Sequence, residues 1–153
     1  MHRRFRLDEA ERLVNEMPNP PQIHHDSRKA CYIPQLDLIR MPPRGCFNSA
    51  AEYFSVRFHE TCHSTGHIKR LNRKGLMDIQ TFGSDAYSQE ELVAEMGSAF
   101  LCGHCGILTQ TETNTTAYLK HWLEKLKADP SLLVRAGSLW IGYKFRGHPI
   151  YQP

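Results

Sequence analysis

Residues 49–66 restrict this chain more than any other stretch. Ser49 followed three residues later by Glu52 is the pattern of a helix-opening capping box, and AEYFSVRFHETCH then runs without glycine or proline as far as Gly66. A helix is predicted there. Inside it lies His59-Glu60-Thr61-Cys62-His63, an H-E-x-x-H sequence. Helix residues four apart stand one turn above each other on one face, so both imidazoles can reach one cation. Glu60 falls beside that line, where a carboxylate can take a proton from an activated water. With 9 His and ten Glu in 153 residues, chance supplies only about 0.03 such matches.

The rest of the chain has to build a fold around that helix. At 153 residues and 17.6 kDa the length is that of one domain, and a single domain over 1–153 is expected. Size scaling gives roughly 7,900 Å² of folded surface against roughly 25,500 Å² for the extended chain, enough burial for a core without staples. A hydrophobic content of 41% with 23% charged residues excludes a disordered or low-complexity chain. No apolar run reaches membrane-spanning length, so no membrane partner is expected. Asp8 and Glu9 follow the basic His2, Arg3, Arg4 and Arg6, where an export signal would need an apolar stretch. With an odd count of 5 Cys, the expectation is a reduced, cytoplasmic protein rather than a disulfide framework.

The fold class expected is α+β. Leu13, Val14 and Met17 sit at helical spacing in residues 8–17, and Pro18 stops that helix. Asn19, Pro20 and Pro21 read as a turn. Two short extended runs follow, around Tyr32–Ile33 and Leu36–Met41, and the flanking Pro34 and Pro42–Pro43 point to edge strands of a small antiparallel sheet. Beyond the H-E-x-x-H helix, Ser88 with Glu91 repeats the capping-box pattern and predicts a helix through Cys102. Further helices are expected from Thr115 or Thr116 and from Asp129–Pro130.

Two histidines do not complete a catalytic zinc site, which keeps three protein ligands and one open position. His67 follows the probable stop at Gly66, and the longer pattern with a third histidine would need it at 69, where this chain has Lys69. The acidic segment 81–112 carries five acids and no Lys or Arg, and offers Glu91 with Glu95 one turn later. The run EELVAE resembles the thermolysin-like gluzincins, which implies Glu91 as metal ligand and Glu95 as the carboxylate that holds a ligand histidine. The residues alone leave the two exchangeable, with Asp85 as a further alternative. Glu91, Glu95, Ser98 and Cys102 form a polar seam on this helix, expected to face the two histidines, with Glu91 in its first turn.

The longer runs FHETCHSTGHIKRLNR and FGSDAYSQEELVAEMGSAFLCGHCGI resemble the zincin-like peptidase domain of the ArdC-type antirestriction proteins of mobile elements. MPNPPQIHH, YIPQLDLIRMPP and AYLKHWLEKLKADP extend the resemblance over nearly the whole chain. It implies a zincin-like metallopeptidase fold, with His59, His63 and Glu91 as metal ligands and Glu60 as general base. That family usually carries an N-terminal single-stranded-DNA-binding domain, and none is expected within 1–153. One zinc per chain is expected, although the ligand types also suit manganese, iron or nickel. A protein or peptide substrate is expected, docked as an added strand beside Leu36–Met41, with Tyr87 or His67 as oxyanion stabiliser. The competing class is a non-proteolytic antirestriction or DNA-binding module that keeps a structural metal site and touches single-stranded DNA through a separate domain.

Three other features carry less. Cys102-Gly103-His104-Cys105 has the letters of a redox motif, but it ends a helix, where the dipole disfavours a thiolate. Cys62 is expected to be a small packing residue, and His24–His25 and His148 surface residues. Lys69, Arg70, Arg73 and Lys74 lack interleaved aromatics and are expected to form a solvated loop.

Overall fold

A computed structural model describes residues 2–73, 76, 85–107, 124 and 127, with the side chains of 2–6 and 85–88 outside that description. The expected helices from Thr115 or Thr116 and from Asp129–Pro130 lie outside the described residues, apart from helical positions at Glu124 and Lys127. No helix among the described residues is long and apolar enough to cross a membrane.

Three helices and a small sheet make up the described fold. Helix α1 spans His2–Asn15, α2 Ala50–Ser64 and α3 Asp85–Cys105; the strands are β1 (Gln22–His24), β2 (Cys31–Ile33) and β3 (Leu38–Arg40). The α+β class holds, and the sheet corrects its expected details. It is mixed, in the order β1-β3-β2, with β1 parallel and β2 antiparallel to β3. The strand over Leu38–Arg40 is therefore central rather than an edge, and Leu38 and Ile39 are buried. Its prolines misled because they flank the strand without occupying it. Pro34 opens a 3-10 turn and Pro42 follows the last pair, so no ladder donor is lost. Strand β1 was hidden behind Pro20–Pro21, and three residues are too few to show alternation.

Helix α2 begins as its capping box requires. Ser49 Oγ accepts from the Glu52 backbone N–H at 3.1 Å, and Glu52 Oε2 accepts from the Asn48 N–H at 2.7 Å. Tyr53, Phe54 and Phe58 form its buried apolar face and pack with Ile39 of β3 and Met41 just beyond it. Its other side packs on α3. Helix α3 ends in a Schellman motif. Gly106, at φ 65°, directs its N–H to Gly103, while the Ile107 N–H returns to Cys102 O at 2.9 Å. Gly106 rather than Gly103 is thus the stop, and Cys102 and Cys105 are both buried. Burial pushes the Cys102 thiol pKa up.

The basic loop after α2 is not the solvated segment expected. Lys69 is exposed, but the side chains of Arg70 and Arg73 are buried, 1% and 3% accessible. Arg70 Nε donates to Ser64 O at 2.6 Å, the end of α2, and its Nη atoms donate to Asp37 and to Asn19 O. Asp37 sits in the left-handed region at φ 49° and also accepts from Tyr32 Oη at 2.9 Å. One turn residue thereby joins the sheet to the end of α2.

Burial works against the Asp37 carboxylate, but the hydrogen bonds from Arg70 and Tyr32 outweigh it and hold its pKa below the usual value. A carboxyl depressed in the folded state adds stability above its unfolded pKa of about 3.9. That contribution is lost as pH falls through the folded value. Asp37→Asn, which strands a buried guanidinium, is expected to cost about 3–5 kcal/mol in urea unfolding at pH 7. It should also flatten the acid limb of stability below about pH 4.

Candidate metal centre

Helices α2 and α3 face each other through polar side chains on one line. His59 Nε2 and His63 Nε2 stand 3.1 Å apart, with the rings edge-to-face. Glu91 closes the third corner: its Oε2 lies 3.5 Å from His59 Nε2 and its Oε1 3.2 Å from His63 Nε2. These three residues are the group among the described residues able to hold a cation, with donor atoms all within 4.8 Å of one another. A tetrahedral ion with bonds of 2.0–2.1 Å needs donors about 3.3 Å apart. The donor set fits.

Each imidazole has its other nitrogen on a second carboxylate. His59 Nδ1 lies 3.2 Å from Glu95 Oε1, and His63 Nδ1 lies 3.3 Å from Glu90 Oε1. An ionised carboxylate only accepts, so both rings carry Nδ1–H and turn Nε2 toward Glu91. The seam is continued by Ser98, whose Oγ donates to Ser55 O at 2.9 Å. Glu91 is in the second turn of α3, not the first as expected, because the helix already starts at Asp85. Asp85, Ala86 and Tyr87 contain no helix breaker, so an S-x-x-E pattern behind them does not fix a start.

The charges follow from this packing. Burial disfavours protonated His59, but hydrogen bonds to Glu91 and Glu95 prevail and raise its pKa to about 10. Burial likewise opposes the charged form of His63, and Glu90 and Glu91 raise it nonetheless. Burial also opposes ionised Glu91, yet His59 and His63 hold its carboxyl well below the usual range. Glu60 differs. It is buried, and desolvation pushes its pKa up against the opposing pull of His63 and His59. The Tyr32 backbone, close by, also favours the charged form of this carboxyl. The Leu36–Met41 strand does lie beside the metal helix as expected, but the sheet edge on that helix is β2.

The remaining expected residues are placed as follows. His67 is buried past the end of α2, where its Nδ1 accepts from the Lys69 N–H at 3.2 Å and lies 3.8 Å from Asp37. Tyr87 is in α3, and its side chain lies outside the described residues. Cys62 is buried, as expected of a packing residue. His24 and His25 are exposed, as expected, and His25 Nε2 lies 2.9 Å from Tyr53 Oη in a hydrogen bond. A cavity of about 230 Å³ between α1, β1 and α2 includes Arg57 and Thr61 but none of the metal-centre side chains. Sequence reasoning missed Glu90 and its partner Arg73, which share no spacing rule with the histidines.

Residues 8–139 match the zincin-like metallopeptidases. The chain belongs to that family. Within it, the domain is of the ArdC type: the structure is similar to crystal structures of the antirestriction protein ArdC from plasmid R388. The Mn(II)-bound form gives a TM-score of 0.64 and the metal-free form 0.60, each at 32% identity over 88% of this chain and 47% or 46% of ArdC. The uncharacterized protein y4eC of Sinorhizobium fredii is 33% identical over 134 residues, 87% of this chain and 42% of that protein. A DNA primase TraC of Escherichia coli is 37% identical over 116 residues, 75% of this chain and 10% of the primase. The chain thus spans less than half the length of each of these relatives.

A cation bound to the folded state alone stabilises it. Zn(II) or Mn(II) at a hundredfold excess over its Kd is expected to raise the unfolding free energy by about 2.7 kcal/mol. The variant with both His59→Ala and His63→Ala should show no such gain; urea unfolding with and without metal measures both.

Proposed function

We propose that this domain is a metal-dependent peptidase, with His59, His63 and Glu91 as ligands and Glu60 as general base. The observation that carries the reading is the convergence of two Nε2 atoms and one carboxylate beside a buried glutamate of raised pKa. A divalent cation in that site supplies Lewis-acid polarisation of the scissile carbonyl and a lowered pKa for the attacking water. Glu60 takes the proton of that water as the oxygen bonds to the carbonyl carbon. It then passes the proton to the amine nitrogen as the C–N bond breaks, leaving a carboxylic acid and an amine. A carboxyl raised by burial is suited to both transfers, being a stronger base than an exposed one.

The peptide docks along the outer edge of β2, next to Glu60, by adding a strand through main-chain hydrogen bonds. Zinc is the ion proposed, because a His₂Glu set with an open position is its usual catalytic arrangement. ArdC was crystallised with Mn(II), so manganese is the ion to compare. The names of the relatives, an antirestriction protein and a DNA primase, support a substrate among proteins met during transfer or processing of DNA. The same names support a second reading, a non-proteolytic module that uses the metal for structure.

Glu60→Gln separates the two. It is expected to keep full metal affinity while losing proteolysis of a denatured casein probe by a factor of about 10²–10⁴. Glu60→Gln with undiminished cleavage would overturn the mechanism, and absence of cleavage by the natural chain would favour the module. Glu91→Ala is expected to abolish metal retention, whereas Glu95→Ala should weaken it about 10–100-fold. Elemental analysis and chelator competition read both, and the reverse ranking would exchange the two roles.

A further inference from the structure

Glu90 and Arg73 are buried, distant in sequence and outside the donor triad, yet both close on His63. Arg73 Nε donates to Glu90 Oε2 at 3.0 Å, and its Nη2 donates to Glu90 Oε1, a two-pronged grip on the carboxylate. The gripped Oε1 is the atom 3.3 Å from His63 Nδ1. The same guanidinium reaches the backbone that carries His63: Nη2 donates to Cys62 O at 3.0 Å and to His63 O at 3.4 Å, and Nη1 donates to Thr65 Oγ1 at 2.5 Å. Arg73 therefore fixes both the ring's acceptor, on α3, and the ring's own helix end, on α2.

Gly66 leaves the room for this. A Cβ there would lie 2.8 Å from Arg73 Cζ and Nη2 and 3.0 Å from Nε. The glycine has no left-handed φ, so it is needed here for space and not for conformation. His59 is held differently. Its Nδ1 partner Glu95 is 26% accessible, while Glu90 is 6% accessible.

We propose that Glu90 and Arg73 are a positioning pair for the metal centre, a buried ion pair that fixes the Nδ1–H tautomer and the orientation of His63. A buried ion pair alone does little for stability against an apolar replacement; its geometry here serves the ring. This rests on the reading of His63 as a ligand, and the test keeps the two apart.

Zn(II) affinity by chelator competition is to be compared for the natural chain, Glu90→Gln and Gly66→Ala. The His63 Nδ1 proton resonance of the zinc-loaded protein is followed in parallel by ¹H–¹⁵N correlation of the ring. Glu90→Gln is expected to lower affinity about 10–100-fold and to shift the His63 Nδ1 proton upfield while leaving that of His59 in place. Gly66→Ala leaves both Glu90 and His63 intact and displaces only the guanidinium; it is expected to lower affinity in the same direction. Combined with Glu90→Gln it should add less than its separate effect, as members of one network do. Unchanged affinity with an unchanged His63 resonance in either folded variant overturns the positioning role and leaves the ligand set standing. If Glu90→Gln does not fold, Gly66→Ala decides alone. A natural chain that takes no zinc at all overturns both readings together.

Discussion

The C-terminal end of α2 is where the structure is tied together, and two buried guanidinium groups do the tying. A helix end leaves its last carbonyls without partners inside the helix and gathers partial negative charge there. The turn N–H groups of Thr65, Gly66 and His67 reach these carbonyls, and the arginines add charge: Arg70 donates to Ser64 O, and Arg73 to Cys62 O and His63 O. Each arginine then reaches an acid on a different element, Asp37 in the turn before β3 and Glu90 on α3. The helix that carries both histidines is thereby anchored to the sheet on one side and to α3 on the other. Removing either acid would leave a cation buried against a helix end, with only neutral oxygens to face it.

That anchoring explains how four carboxylates and two imidazoles occupy one narrow helix interface. Glu90, Glu91 and Glu95 would repel each other on an isolated helix. Opposite α2 they meet His59, His63 and Arg73, and each negative charge has a named donor. The apolar contacts of α2 lie elsewhere, through Tyr53, Phe54 and Phe58 on the sheet side. The helix is thus amphipathic in an unusual sense: a core face, and a second, part-buried face made of charge.

The sequence made this second face half legible. A capping box and an unbroken run located α2, and the four-residue spacings of His59–His63 and Glu91–Glu95 located the facing lines, because side-chain direction on a helix follows from position alone. Glu90 stood one residue off the seam, about 100° around the helix, and nothing local shows that a buried arginine would turn it inward. Arg70 and Arg73 looked solvated because a run of basic residues has no periodicity to say which members are buried. The sheet was misread for a related reason. Which of three short strands lies in the middle depends on the crossover from β1 to β3, a tertiary choice that Pro34 and Pro42–Pro43 do not encode.

The donor set draws on two helices joined by the chain from Ser64 to Glu90. A cation shared by His63 and Glu91 would therefore act as a cross-link that closes this loop in the folded chain. Cross-linking a loop of this length removes chain entropy from the unfolded ensemble worth on the order of 3–4 kcal/mol in the polymer model. The whole basic turn with Arg70 and Arg73 lies inside that loop, so the metal and the arginines restrain the same stretch of backbone from opposite ends. Occupancy of the centre would then be felt as slower proteolysis of the turn over residues 64–73, beyond the side chains that touch the ion.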